Sequence, residues 1–192
     1  MALNVNNVDV NFFRVKPESL PAFISQWEYR NSLSNWESDN LLKMAELVYT
    51  GRFDLNPARN TREKLLLPLS DIKPLQQAGV YIAVMNQAGQ YNYSNAATLF
   101  TLSDIGVSAH RYHNQLDIFT QSLENGAAQQ GIDVTLLNEK GQTLAQATSD
   151  AQGHVQLKTD KEAALLLARK DGQTTLLDLK LPALDLAEFD IA

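Results

Sequence analysis

The chain has 192 residues, a formal net charge of −6 and no cysteine. Its 16 basic residues are scattered, which argues against a nucleic-acid surface, because such surfaces cluster Lys and Arg to neutralise phosphates. The lack of cysteine excludes thiol nucleophiles, disulfides, thiolate zinc sites and thioesters. The length is sufficient for two domains of β-sandwich size, each with its own core.

The first half of the chain mixes strand and helix patterns. Residues 8–15 alternate as a strand does, and apolar residues at positions i, i+3, i+4 and i+7 of residues 20–27 predict a helix. Residues 31–40 have no clear period and are interpreted as a loop, followed by a second short helix over residues 38–47. Further strands are predicted at 47–49, 62–69, 79–85 and 91–102, and the run 79–85 is apolar on both faces, as in a central strand.

The second half consists of short alternating segments separated by turn residues. Strands are predicted at 106–113, 115–123, 132–138, 143–148, 154–159, 163–170 and 173–180. Gly141 and Gly153 stand at reversals, where glycine adopts positive φ without a steric penalty. The sequence therefore predicts an all-β chain of two tandem antiparallel β-sandwiches of the fibronectin III or immunoglobulin type. We place the first at residues 1–102, with a helical insertion, and the second, with seven strands, at residues 103–192.

The segment between the two domains contains neither Gly nor Pro from Tyr93 to Ile105. A flexible tether is expected to use such residues, so we predict a stiff junction at which Ser103 or Asp104 forms a hydrogen bond from one domain to the other. The residues predicted to set the inter-domain angle are Leu99, Phe100, Leu102, Ser103 and Asp104.

Catalytic and metal-binding patterns are weak. His110 and His113 have an odd spacing, which sends the two rings to opposite faces of a strand and disfavours a shared metal. His154 follows a turn and is interpreted as a solvent-side strand residue. No G-x-S-x-G elbow, phosphate-binding glycine loop or H-E-x-x-H motif occurs. The sequence therefore predicts a protein that is not an enzyme and holds no metal or cofactor.

Four aspartates beside predicted turns could supply paired carboxylates, but Asp at such positions usually bonds its own neighbouring backbone. They are Asp71, Asp104, Asp150 and Asp171.

Four aromatic residues allow a second interpretation of the function. They could form a platform for a sugar ring, although aromatic side chains more often serve packing, which is the reading we favour. An exposed aromatic row would favour an alternative function, a pair of immunoglobulin-like adhesion or carbohydrate-binding modules. Burial of Tyr91 and Tyr93 would disfavour it. The four residues are Trp27, Trp36, Tyr91 and Tyr93.

The ends of the chain indicate a fragment. Residues 1–10 lack a basic segment followed by an apolar run of signal-peptide length, and no later run approaches the ~20 apolar residues of a membrane span. Patterns typical of folded structure begin and end close to the two termini. We therefore expect a piece of a longer multidomain protein, with a natural short protein as the alternative.

Long strings of the sequence resemble a known family. VNFFRVKPESLPAFISQW, GRFDLNPARNTREKLLLPLSDIKPL, GVYIAVMNQAGQYNYSNAATLFTLSDIGVSAHRYHNQLDIFTQSLENG and GIDVTLLNEKGQTLAQATSDAQGHVQL are similar to consecutive macroglobulin-like domains from the N-terminal half of bacterial α2-macroglobulins, most of all the enterobacterial form. The resemblance extends over essentially the whole chain.

The resemblance implies membership of a large protease-trapping inhibitor. Such proteins are periplasmic lipoproteins tethered to the inner membrane, in which cleavage of a bait region triggers a collapse and a thioester captures the protease. They are thought to protect the cell envelope alongside a peptidoglycan-synthesising penicillin-binding protein. The family's Cys-x-Glu-Gln run and lipid-bearing cysteine have no counterpart here, because this chain has no cysteine, and no segment resembles a bait loop.

The resemblance therefore implies a non-catalytic scaffold. Its expected partners are neighbouring macroglobulin-like domains, with target proteases and the penicillin-binding protein reached through the full-length protein. No contact of this stretch with nucleic acid or membrane is expected.

Overall fold

A computed structural model of the chain describes residues 5–27, 32–58, 60, 64, 66–90, 92–159 and 162–180. The chain divides into two compact units, Met1–Leu102 and Ser103–Ala192. Within both units the described strands pair in antiparallel fashion. The predicted all-β, antiparallel class is confirmed.

The first unit contains one described sheet of five strands, in the order β2-β5-β4-β1-β3. Helix α1 matches the predicted helix, and all four apolar residues of its i, i+3, i+4, i+7 pattern are buried. Single 3₁₀ turns lie at Pro17–Ser19 and Lys73–Gln76. In chain order the elements are β1 (Asn7–Val15), α1 (Leu20–Trp27), β2 (Ser32–Ser34), α2 (Asn35–Leu42), β3 (Ala45–Asp54), β4 (Gly79–Gln87) and β5 (Ser94–Leu102).

Strand β4 is the central strand, as its apolar run predicts. Residues 79–84 are all buried. In register with β1, Ala83 pairs with Phe12 on one face of the sheet, and Ile82 pairs with Phe13 on the other. Because successive residues of a strand point to opposite faces, both faces of the sheet are covered at β4.

Three secondary-structure predictions for the first unit were wrong. The described residues 32–40 are not a loop, since they include β2 and the start of α2. The helix predicted over residues 38–47 begins earlier and ends at Leu42, and residues 45–47 belong to β3. The sequence carried a signal for this helix. Ser34 and Glu37 form a reciprocal capping box, in which Glu37 Oε2 accepts from the Ser34 backbone N–H at 2.8 Å and Ser34 Oγ accepts from the Glu37 N–H at 3.3 Å.

The strand predicted at 62–69 is also not found at the described residues 64 and 66–69. Leu66 is 85% exposed, whereas Leu67 and Leu69 are partly buried against the core of the first unit, so the described part of the run packs on one side without forming a strand. The remaining residues of that prediction lie outside the described part of the chain.

Strand β3, at one edge of the described sheet, carries a β-bulge. Phe12 pairs with Tyr49 and Phe13 with Leu47, which leaves Val48 as an extra residue opposite β1. On the same strand, Arg52 forms a two-point ion pair with Asp9 at 2.7 and 2.9 Å.

The second unit contains a three-stranded sheet, β10-β7-β6, and a four-stranded sheet, β12-β11-β8-β9. Their inner faces share one apolar core that includes Ile118, Ile132 and Leu136, each fully buried. The predicted bounds agree with the strands to within two residues. The seven strands are β6 (Ile105–Tyr112), β7 (Gln115–Ser122), β8 (Asp133–Asn138), β9 (Thr143–Thr148), β10 (His154–Lys158), β11 (Ala163–Lys170) and β12 (Gln173–Asp178).

The turns of the second unit use the predicted glycine chemistry. Gly141 and Gly153 have φ values of 74° and 72°. At Gly153 a β-carbon would also collide with the carbonyl oxygen of Thr120. Only glycine therefore fits this turn without displacing β7.

Candidate functional site

The residues predicted for the junction lie on both sides of the division between Leu102 and Ser103. Leu99 and Phe100 pair with Ile82 and Tyr81 of β4, so their side chains point to opposite faces of the sheet. Two residues, Ser103 and Asp104, separate the end of β5 from the start of β6. That these residues set an inter-domain angle stays a prediction.

Phe100 is fixed by aromatic contacts within the first unit. Its ring stacks on Tyr81 at a centroid distance of 5.4 Å and meets Phe12 edge-on at 6.3 Å. The Tyr81 hydroxyl donates to the carbonyl oxygens of Gln77 at 2.8 Å and Pro74 at 3.3 Å. Burial raises the pKa of Tyr81. The end of strand β5 is therefore held by the packing of Phe100 against a fully buried tyrosine.

Asp104 is the centre of a hydrogen-bond network in the second unit. Its Oδ1 accepts from the Glu124 backbone N–H at 2.8 Å and from Ser122 Oγ at 3.0 Å, and its Oδ2 accepts from Gln129 Nε2 at 3.0 Å. The Glu124 amide, followed by the Ser122 hydroxyl, holds the pKa of Asp104 below its ordinary value. The carboxylate thus ties the start of β6 to the loop after β7.

The prediction that turn aspartates bond their own backbone holds for Asp150 but was wrong for Asp104. Asp150 Oδ1 accepts from the N–H groups of Gln152 at 2.9 Å and His154 at 2.8 Å, as in a local turn. The partners of Asp104 lie 18 to 25 residues away. A local pattern cannot indicate such a role.

Ser103 is anchored through Gln173 at the start of β12. Gln173 Oε1 accepts from Ser103 Oγ at 3.3 Å and from the Asp104 N–H at 2.6 Å, while Ser103 Oγ accepts from the Ile105 N–H at 3.0 Å. These hydrogen bonds connect Ser103 and Asp104 to the second unit. A bond from either residue across the junction stays a prediction.

A polar and aromatic cluster lies on the outer face of the β10-β7-β6 sheet. Asp117 Oδ1 lies 3.0 Å from His154 Nε2, and the carboxylate also accepts from Gln115 Nε2 at 2.8 Å and Gln156 Nε2 at 3.2 Å. The amides of Gln115 and Gln156, followed by the His154 ring, lower the pKa of Asp117. The side chain of His154 is on the solvent side of β10, as predicted, and is 32% exposed.

Phe119 stands between two histidine rings on this face and is 41% exposed. Its ring centroid is 5.0 Å from that of His154 and 5.8 Å from that of His110. The sequence did carry a signal for this residue, because Phe119 shares the polar phase of β7 with Gln115 and Asp117. Phe119 therefore leaves an apolar ring accessible on the solvent side of β7.

The other predicted histidine, His113, lies outside the cluster. Strand β6 ends at Tyr112, one residue earlier than predicted, and His113 occupies the following turn with a φ of 47°. Among the described residues no group of three or more His, Cys, Asp and Glu side chains is arranged to hold a metal ion.

The aromatic residues that were candidates for a sugar platform differ in their exposure to solvent. Trp27 is 2% exposed and stacks on Phe23 at 6.2 Å, which confirms packing for this residue. Trp36 is 74% and Tyr93 is 84% exposed, so the packing prediction was wrong for both. Tyr91 lies outside the described residues.

Helices in the described part of the chain are all too short or too polar to cross a membrane.

The two units correspond to two known domain families. Residues 1–100 match the bacterial α2-macroglobulin MG2 domain, and residues 102–192 match the bacterial α2-macroglobulin MG3 domain. The chain is a pair of macroglobulin-like domains. It belongs to the bacterial α2-macroglobulin family.

Individual relatives agree with this assignment. Over all 192 residues the chain is 91% identical to α2-macroglobulin of Escherichia coli strain K12, of which it spans 12%. A crystal structure of native E. coli α2-macroglobulin spanning domains NIE-MG1 covers 94% of this chain, with 90% identity and a TM-score of 0.85, and the chain covers 86% of it. Trypsin-activated E. coli α2-macroglobulin covers 100% of the chain, with 90% identity and a TM-score of 0.74, and the chain covers 13% of it. The matching stretch is 12% of the E. coli protein and 13% of the trypsin-activated structure, so in both it is a small part of a longer protein.

Proposed function

We propose that this chain is a non-catalytic structural part of a bacterial α2-macroglobulin that inhibits endopeptidases of broad range. The observation that supports this most strongly is the family match, which covers both units rather than one. The relative solved in a trypsin-activated form supports a response of the longer protein to proteases. The chain spans 12% of the E. coli relative, so inhibition is a property of the larger protein.

The same relationship supports a location and a set of partners for the parent protein. We infer that it is periplasmic, is anchored by a lipid to the inner membrane, and protects the cell envelope by trapping proteases. Neighbouring macroglobulin-like domains of the parent protein are the direct partners of this chain. A peptidoglycan-synthesising penicillin-binding protein is a functional partner of the parent rather than of these two domains.

The mechanical role assigned to the chain is to transmit a rearrangement between domains. A conformational trap needs modules that move as rigid bodies about a few connections. Phe100, near the end of β5, is held in the first unit by stacking on Tyr81, and Asp104, in the connection itself, is held in the second unit by its three donors. Anchored flanks and a short connection support a stiff junction.

Small-angle scattering tests the stiff junction. Insertion of two glycines between Ser103 and Asp104 is expected to broaden the distribution of inter-domain angles and raise the radius of gyration. The same insertion after Gly141, in the turn between β8 and β9, is the matched control and should leave the profile unchanged. Identical profiles for both insertions would contradict a rigid joint.

Protease protection tests the proposed function itself. The chain alone, in large molar excess, is expected to leave trypsin digestion of a folded protein substrate unchanged, whereas the full-length parent slows it. In the parent, Tyr81→Ala is expected to weaken inhibition because it disrupts the core of the first unit. Arg52→Ala, at an exposed ion pair, is the control. Inhibition of trypsin by the isolated chain would contradict a purely structural role.

A further inference from the structure

The outer face of the three-stranded sheet combines exposed aromatic rings with a hydrogen-bonded polar cluster. It consists of the outward residues of three neighbouring strands, which alternate with core residues such as Leu116 and Ile118. Two aromatic side chains are exposed on it, Phe119 at 41% and Tyr112 at 58%. The members of this face, which we call the outer face, are Ser108, His110, Tyr112, Gln115, Asp117, Phe119, His154, Gln156 and Lys158.

The polar groups of the outer face are held in fixed positions before any ligand arrives. Asp117 accepts from Gln115, Gln156 and His154 at 2.8 to 3.2 Å, and its side chain is 17% exposed. Because both glutamine NH₂ groups are engaged with the carboxylate, their side-chain carbonyl oxygens remain as acceptors. Preorganised polar groups beside an aromatic ring lower the entropic cost of binding a small ligand.

The aromatic groups are spaced along the strands. Phe119 pairs with Ser108, and Tyr112 stands four residues further along β6, beside Gln115. At the rise of an antiparallel strand this separation is about 14 Å. The polar cluster around Asp117 lies between the two rings. A ligand that uses both rings must therefore be an extended oligomer rather than a single ring.

Charge and apolar content decide between classes of ligand. The permanently charged groups on the outer face are one carboxylate, Asp117, and one ammonium, Lys158, so the face is nearly neutral and suits a neutral ligand. A stable protein interface has a contiguous apolar core, whereas here the two apolar rings are separated by amides, a carboxylate and histidines. Neutral saccharides combine faces that stack on aromatic rings with hydroxyls that hydrogen-bond to amides and carboxylates.

We propose that the outer face of the β10-β7-β6 sheet binds a neutral oligosaccharide, with Phe119 and Tyr112 as stacking platforms and Asp117, Gln115 and Gln156 as hydrogen-bonding groups. The site is open and flat, so the affinity is weak, with a dissociation constant on the order of 1 mM. This binding is separate from the inhibitory role proposed for the parent protein, and either can hold without the other.

Nuclear magnetic resonance titration of the ¹⁵N-labelled chain tests the site. The probes are chitotriose, cellotriose and maltotriose. We expect at least one trisaccharide to shift the amide signals of β6, β7 and β10 in a saturable way. Phe119→Ala and Tyr112→Ala should each weaken that binding about threefold or more, the range found for single aromatic contacts.

Two further variants make the result decisive. Gln156→Ala removes one hydrogen-bonding group without touching the rings and is expected to weaken binding as well. Tyr93→Ala removes an exposed tyrosine of the first unit and should leave binding unchanged. The proposal is overturned if none of the three sugars shifts these signals, if binding persists in both Phe119→Ala and Tyr112→Ala, or if Tyr93→Ala is the variant that abolishes it. The spectrum of each free variant verifies its fold.

Discussion

In the first unit the central strand β4 is buried continuously over residues 79–84, whereas in the second unit β7 alternates between buried and accessible positions along its length. A strand with both faces covered can contribute only packing. A strand with one face open also positions side chains such as Asp117 and Phe119 where other molecules can reach them. The comparison indicates that β4 serves the core of the first unit, whereas β7 serves both the core and the accessible surface of the second.

The largest effect is expected from the central strand β4, which is covered on both faces. Tyr81→Ala removes a fully buried ring that stacks on Phe100 and should lower the free energy of unfolding by about 4 kcal/mol. Tyr81→Phe keeps the ring, loses the hydroxyl bonds to Gln77 and Pro74, and should cost about 1 kcal/mol. In the Tyr81→Ala variant, amide hydrogen exchange should show lower protection of β4 and unchanged protection of β8. Equal loss in both strands would mean that the units unfold together.

The turn before β10 should give the next largest effect. Gly153→Ala forces a non-glycine residue to positive φ and drives its β-carbon against the Thr120 carbonyl, so we expect a loss of about 2 kcal/mol or more. Gly172→Ala is the matched control, because Gly172 has a φ of 78° with no atom within 4 Å of an added β-carbon. It should cost about 1 kcal/mol, from backbone strain alone. Chemical denaturation measures both, and equal losses would show that the carbonyl moves aside at little cost.

The smallest effect concerns pH. The folded state lowers the pKa of Asp104, so its contribution to stability is present above the ordinary pKa of an aspartate and is lost as the pH falls through the lower, folded-state value. Asp104→Asn should therefore be less stable than the wild type at pH 7, and the difference should shrink towards pH 3. Gln129→Ala removes one donor and should give a smaller change in the same direction. Thermal unfolding at several pH values measures this, and a difference independent of pH would contradict the charge-based explanation.

The second unit was the more predictable from its sequence, for a physical reason. β9 and β11 have the predicted bounds, Thr143–Thr148 and Ala163–Lys170, because turn residues delimit both strands. β9 follows the turn at Gly141, and β11, an apolar run buried over residues 163–168, ends before the Asp171-Gly172 turn. In the first unit, residues 31–40 have no clear period and no glycine. The capping box of Ser34 and Glu37 is the local signal that would have identified helix α2.

The candidate sites were less predictable, since they depend on residues distant in the chain. Nothing near Asp104 in the sequence indicates its bonds to Ser122, Glu124 and Gln129. The Asp117 cluster joins β7 to β10 across 37 residues. Only strand pairing brings these groups together. What the sequence does contain is the phase of Phe119 within β7, which places an aromatic ring on the solvent side.

The bulge at Val48 has a consequence for solubility. Strand β3 ends the described sheet, and a regular edge strand of 10 residues would offer its unpaired backbone groups as a template for strands of other molecules. An extra residue bends and twists such an edge, and the Arg52–Asp9 ion pair places charge along it. Together these features oppose fibre-like growth by edge-to-edge stacking, a hazard for any protein assembled from many β-domains in series.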